Sequence, residues 1–181
     1  MTKNRVIRII ALFVLLCSVS CSNRMNQKQI VRKYYRKELK LNAPIRLVYN
    51  DTMIYENGHN NKKRIVIHID SKQCQQCMIN SFNMINEYVA SLNSENINAI
   101  MICVVSKPET EIIKSIDEIQ LQPNIIILCD ETNSYLKQNK LEHYNTNYHS
   151  FLLDEKNRIV IVGDPLHNYS IRALYNRELT R

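Results

Sequence analysis

Residues 64–92 read RIVIHIDSKQCQQCMINSFNMINEYVASL. Ile65, Val66, Ile67 and Ile69 form a nearly continuous β-branched run, the pattern of a strand covered on both faces. Ser71, Lys72 and Gln73 make a polar break. Beyond it Met78, Phe82, Ile85, Val89 and Leu92 recur at helical spacing, with Asn80, Asn83, Asn86 and Glu87 opposite them. The stretch therefore predicts a strand that delivers Cys74 and Cys77 onto the first turn of a long helix. A helix N-terminus carries partial positive charge and free N–H groups. A thiolate held there is stabilised, and a cysteine pKa of about 8.5 can fall into the range ~3.5–7.5. The thiolate is the nucleophile of disulfide exchange. Cys74, at the helix start, is expected to be the attacking sulfur. Cys77, one turn inside and expected to be more buried, would resolve the mixed disulfide.

The other cysteines are 17, 21, 103 and 129. Cys103 lies in NAIMICVV and Cys129 in NIIILCD, both strand-like, and each reads as a small buried hydrophobe. Cys74 and Cys77 are the pair that combines short spacing with a helix start. In an exported chain such a pair can be a structural disulfide, a redox pair or part of a metal site.

Export is indicated at the other end of the chain. Lys3, Arg5 and Arg8 precede an apolar run from Ile9 to Leu16, then Cys17-Ser-Val-Ser-Cys21. This is the form of a secretory signal, and the run is short for a membrane span. Ser18 and Ser20 ahead of Cys21 resemble a bacterial lipoprotein signal, with Ser18 where leucine is usual and Cys21 as the lipidated residue. The expected organisation is a signal peptide at 1–20, a tether and basic N-terminal helix at 21–41, and one domain at 42–181. The expected location is membrane-anchored, facing the periplasm or the cell surface. Loss of residues 1–20 would leave 21 basic against 17 acidic residues, a net charge of +4. That suits an anionic membrane surface and is too weak to indicate nucleic acid.

Along the tether, Lys28, Arg32, Lys33, Arg36, Lys37 and Lys40 alternate with Ile30, Val31, Tyr34, Tyr35 and Leu39, predicting a helix that Pro44 ends. Ile45–Tyr49 and Met53–Tyr55 are short strand candidates, and 56–63 reads as a loop around Asn57-Gly58. After the cysteine helix come a strand at 98–105 and a helix at 109–120 behind Pro108. A strand at 124–129 and a short helix at 132–141 follow. Strands at 150–154 and 158–162 are joined by Glu155-Lys156-Asn157, and a last helix spans 168–179. Alternating strands and helices predict an α/β protein with a mostly parallel sheet, helices on both faces, and a closing antiparallel hairpin.

This ordered set resembles the thioredoxin-like fold. The segment FLLDEKNRIVIVG at 151–163 is similar to the hairpin of membrane-tethered, thioredoxin-like thiol–disulfide oxidoreductases of the bacterial envelope. NIIILCDETNSYLKQNKL at 124–141 is similar to the strand, acidic turn and short helix before that hairpin. The resemblance implies a central mixed sheet flanked by helices, a closing β-hairpin and a C-terminal helix. It also implies disulfide exchange at Cys74 and Cys77, with protein thiols or disulfides, or an upstream membrane reductant, as partners and no cofactor. Three positions depart from the family. Gln73 stands where tryptophan usually precedes the first cysteine. Tyr148 stands in place of the cis-proline. His68 replaces the buried acid six residues before Cys74. His68, Tyr148 and His149 are therefore candidate assisting residues, with His68 a candidate proton acceptor for Cys77. Lys72 is a candidate neighbour of the thiolate.

Three functions fit these residues: envelope thiol–disulfide exchange, a non-catalytic binding lipoprotein, and copper or zinc handling by Cys74 and Cys77 with His68 or His149. The chain has no G-x-S-x-G, no Gly-rich phosphate loop, and no basic-aromatic stripe for nucleic acid.

Overall fold

The computed structural model describes residues 27–42, 44–49, 62–97 and 99–181. The signal peptide, Cys21 and the strand expected at Met53–Tyr55 lie outside these residues. The described residues fall into two units, 27–34 and 35–181. Residues 27–34 are helical. The helix expected to continue to 41 stops there, and Arg36 takes a left-handed conformation with φ 66°. Among the described residues no helix is long and apolar enough to cross a membrane.

The larger unit is built on a six-stranded mixed sheet. In chain order its elements are β1 (Arg46–Tyr49), β2 (Arg64–Ile69), α1 (Gln75–Ser94), β3 (Ile100–Val105), α2 (Glu109–Ile116) and β4 (Ile125–Cys129). Then come α3 (Ser134–Gln138), a 3-10 turn at Thr146–Tyr148, β5 (Phe151–Leu153), β6 (Ile159–Val162) and α4 (Tyr169–Leu179). The strand order is β1-β4-β3-β2-β5-β6. The central β2, β3 and β4 are parallel, and β1, β5 and β6 are antiparallel to their neighbours.

Register decides which side chains meet the helices. Ile65, Met101 and Ile125 form one cross-strand row, Ile67, Cys103 and Ile127 the next, and Ile69, Val105 and Cys129 the last. These rows belong to one core with Met78, Phe82, Ile85 and Val89 of α1, Ile112 of α2 and Tyr175 of α4. Each fully buried side chain of this size contributes about 1.5–3 kcal/mol. That burial, rather than the propensity of an asparagine-rich sequence, holds α1 as a helix. Cys103 and Cys129 are buried free thiols, as expected of core packing. Burial pushes the Cys103 thiol up.

The alternate residues, Val66, His68, Ile102, Ile126 and Leu128, occupy the second face of the sheet. There this unit places the five-residue α3 and an extended strap, 36–42. The strap pairs with the outer strand: the Arg36 N–H donates to the Ile159 carbonyl, the Ile159 N–H to that of Lys37, and the Leu39 N–H to that of Asn157. Its far end is held by side-chain amides at the C-terminal end of α3. Asn139 exchanges two hydrogen bonds with the Lys40 backbone (3.0 and 2.9 Å), and Gln138 does the same with Asn42 (3.3 and 3.2 Å).

Gly163 follows β6 at the open end of the hairpin with φ +134°, a region L side chains rarely adopt. Its carbonyl accepts from the Tyr175 hydroxyl at 2.8 Å, and a Cβ would stand 3.2 Å from Ile171 Cδ1. Gly163→Ala is expected to destabilise by about 1–3 kcal/mol. Urea unfolding would measure it, and an unchanged midpoint would show that the hairpin relaxes freely there.

Candidate active site

The polar break after β2 is an ordered turn. Asp70 Oδ1 accepts from the Lys72 N–H at 2.8 Å, and the Gln73 N–H donates to the Asp70 carbonyl at 3.2 Å. This turn sets Cys74 at the N-cap of α1 with extended φ −70° and ψ 162°. The Cys77 N–H donates to Cys74 Sγ at 3.1 Å, and the two sulfurs are joined in a disulfide with Cα atoms 5.0 Å apart. A cysteine thus does what serine or aspartate usually does at an N-cap. No acidic residue lies in the first turn of α1, so nothing there opposes negative charge on the sulfur.

Cys77 departs from expectation. It is exposed, as Cys74 is. The helix phase explains this: Met78 takes the inward position in the first turn at 0% exposure, so Cys77 faces solvent. One turn on, the Ser81 hydroxyl donates to the Cys77 carbonyl at 3.0 Å and bridges to Gln73 Oε1 at 3.2 Å. Gln73, standing where tryptophan is usual, thereby ties the turn to the helix. A cavity of about 460 Å³ opens beside Gln73 and Ser81 and reaches Thr146, Asn147, Asp164 and His167. Ser81 and Asp164 were not singled out from sequence. The four-residue step from Cys77 to Ser81 was the available signal for the first. Nothing local marks the second, which arrives from the far side of the hairpin.

Of the candidate assisting residues, His68 lines this cavity together with Asp70, Lys72 and Gln73. His68 alternates with Ile67 and Ile69, so it sits on the second face of the sheet, away from the α1 core. Its Nε2 meets Ser106 Oγ at 3.0 Å, and its ring stacks on Tyr135 with centroids 5.3 Å apart. His149 is buried, at 3% exposure. Its Nε2 donates to the carbonyls of Leu141 and Tyr144 at 3.1 and 3.0 Å, and its ring meets His68 edge-on at 5.4 Å. The Nδ1 atoms of both rings are buried without a hydrogen-bond partner, so neither imidazole reaches a sulfur through them. Burial, reinforced by His149, pushes His68 down to about 4. Burial also lowers His149. Both rings are neutral at pH 7. Tyr148 lies on the 3-10 turn, its N–H donating to the Asn145 carbonyl, and of that turn Thr146 and Asn147 line the cavity. Lys72 is exposed on the cavity edge.

The buried pair is held by α3. Asp130, 1% exposed, accepts from the Ser134 N–H, the Ser134 hydroxyl and the Tyr135 N–H at 2.7–2.8 Å. This fixes Tyr135 under His68, with its hydroxyl donating to the His149 carbonyl at 2.7 Å. Ser106→Ala would leave His68 with no described side-chain partner at either nitrogen, at an expected cost of about 1 kcal/mol in urea unfolding. No loss would mean that water replaces the hydroxyl. Among the described residues no three His, Cys, Asp or Glu side chains gather as a metal-binding group.

No protein-family model matches the chain, and no curated protein matches it. Solved structures do. The solution structure of a thioredoxin-like protein in its oxidised form aligns with a TM-score of 0.56 at 15% identity, over 82% of this chain and 97% of that one. A Bacteroides thetaiotaomicron protein described as a candidate protein disulfide isomerase aligns with a TM-score of 0.50 at 12% identity, over 70% of this chain and 76% of that one. Together with the mixed sheet, its flanking helices and the closing hairpin, these likenesses establish that the chain has a thioredoxin-like fold.

Proposed function

We propose that the chain is a thiol–disulfide oxidoreductase of the cell envelope, exported by residues 1–20 and tethered through a lipid on Cys21. One observation carries the redox part: a solvent-facing Cys74–Cys77 disulfide whose first sulfur caps a helix with no acid in its opening turn. Reduction of a partner disulfide would run as follows. The Cys74 thiolate attacks one partner sulfur, and the other leaves as a thiolate. Cys77, deprotonated to solvent, then attacks Cys74 Sγ. The mixed disulfide breaks, the second partner thiolate leaves, and Cys74–Cys77 forms, so two electrons have passed to the partner. Oxidation is the reverse sequence. Protein thiols and disulfides are the partner class, and a membrane reductant or oxidant would reset the pair.

The test is equilibration of the chain in glutathione or dithiothreitol buffers, with alkylation and mass readout. A reversible couple between roughly −120 and −270 mV supports exchange. A bond still oxidised below about −300 mV marks a structural staple and removes the redox reading. The tether has its own test. Cells fed an alkyne fatty acid should label the wild-type chain and not Cys21→Ser, and an unlabelled wild type would remove the lipid.

A static pair on a binding scaffold is the second reading. It is favoured by the placement of His68 and His149, which leaves no described base hydrogen-bonded to either sulfur.

A further inference from the structure

We infer that the second face of the sheet holds a binding site for a single fatty acid, separate from the disulfide and independent of the redox reading. A cavity of about 480 Å³ lies between that face and the strap. Ile102, Ile126 and Leu128 of the central strands form one wall, and Leu39 and Leu41 of the strap form the other. Two features create it. Of the helices in this unit, α1, α2 and α4 pack the first face, and the five-residue α3 packs the second. The strap is also fixed at both ends by the hydrogen bonds to β6 and from Gln138 and Asn139, so it spans the sheet instead of collapsing onto it.

The space is open to solvent on one side, and its lining combines aliphatic walls with the polar side chains of Glu38, Asn42, Arg64 and Asn157, so it suits an occupant with an apolar body and a polar end. One polar feature selects among such occupants. Arg64, at the start of β2, lines the cavity and is partly buried. Its guanidinium bonds the neutral side-chain oxygen of Asn157, and among the described residues no acid pairs with it. Glu38 stands exposed on the same lining. A guanidinium satisfied by an amide alone retains donors matched to a carboxylate. The occupant that meets both the aliphatic walls and the cation is a carboxylate with one long alkyl chain. The chain lies along the isoleucines, and the carboxylate sits at Arg64.

The test uses the full purified chain with saturated fatty acids of ten to eighteen carbons and their matched alcohols. Displacement of a fluorescent conjugated-polyene fatty acid reports binding. Saturable one-to-one binding is expected, with Kd falling about fourfold per added methylene until the cavity is full. Acids should bind about tenfold tighter than alcohols, and Arg64→Gln should erase that preference while keeping the chain-length trend. Ile126→Trp fills the space and should abolish binding while a cooperative unfolding transition remains. If that variant does not fold, the acid–alcohol comparison in Arg64→Gln decides. The inference is overturned by any of four results: no saturable binding, affinity independent of chain length, equal affinity for acids and alcohols in the wild type, or undiminished binding in a folded Ile126→Trp.

Discussion

Cys77→Ser is expected to trap the chain as a stable mixed disulfide through Cys74, with turnover falling by roughly two orders of magnitude or more. The reason is local geometry. Exposure does not rank the two sulfurs, because both face solvent. What ranks them is the N-cap. Cys74 Sγ accepts the Cys77 N–H at 3.1 Å and sits at the positive end of a 20-residue helix, whereas Cys77 lies inside the first turn. A thiolate at Cys74 keeps that hydrogen bond in the reduced state, so it is the better-stabilised anion and the sulfur that bonds the partner. Once Cys77 is gone, no described cysteine remains to resolve the adduct, since Cys103 and Cys129 are buried in the sheet. Mixing with a disulfide-containing protein, quenching with acid and weighing the products reads the outcome directly. Cys74→Ser should show neither adduct nor turnover. Trapping by Cys74→Ser instead would invert the two roles. No adduct with either variant would leave the pair as a staple.

Acid should unfold this protein earlier than its carboxylates require. His68 has its pKa lowered from 6.5 to about 4, first by burial and then by His149, so the unfolded chain binds a proton that the folded chain refuses. Stability therefore rises with pH between about 4 and 6.5 and is complete above that window. At pH 4 the loss from His68 alone is about 3 kcal/mol. His149 shifts in the same direction and adds to the loss. Asp154, lowered by its bonds to Arg158 and Lys156 against the opposing effect of burial, would lose its contribution only below the ordinary carboxylate range. The two causes thus separate by pH. Urea unfolding at pH 4.5, 5.5, 6.5 and 7.5 should give a steep decline towards acid in the wild-type chain, and His68→Phe, which keeps the stacking on Tyr135, should make it shallower, leaving the part due to His149. An equal slope in both would remove His68 as the cause.

Periodicity made the frame legible. The alternation of apolar runs gave the parallel core, and the four-three spacing after Cys77 gave α1 because long periodic elements dominate local noise. Two things were not legible. The first was facing. The spacing of six from His68 to Cys74 matches a family position, but strand alternation puts His68 on the face opposite the α1 core, paired with His149 from a distant turn. The second was the tether. Its helical spacing runs on to Leu39, yet the chain leaves the helix near Arg36 because pairing with Ile159 competes with another helical turn. The abundant asparagines have a structural use. Asn96, Asn133 and Asn157 occupy left-handed positions where glycine would be usual, in a chain that has two glycines.

The strap has a consequence for handling the protein. Residues 36–39 pair with the backbone of the outermost described strand, β6, using both the N–H and the carbonyl of Ile159. A fragment begun at residue 42 would leave those groups open on a free sheet edge, a template for strand addition between copies. Such a fragment should self-associate where one begun at residue 35 stays dispersed. The few residues after the N-terminal helix thus act as a guard against aggregation.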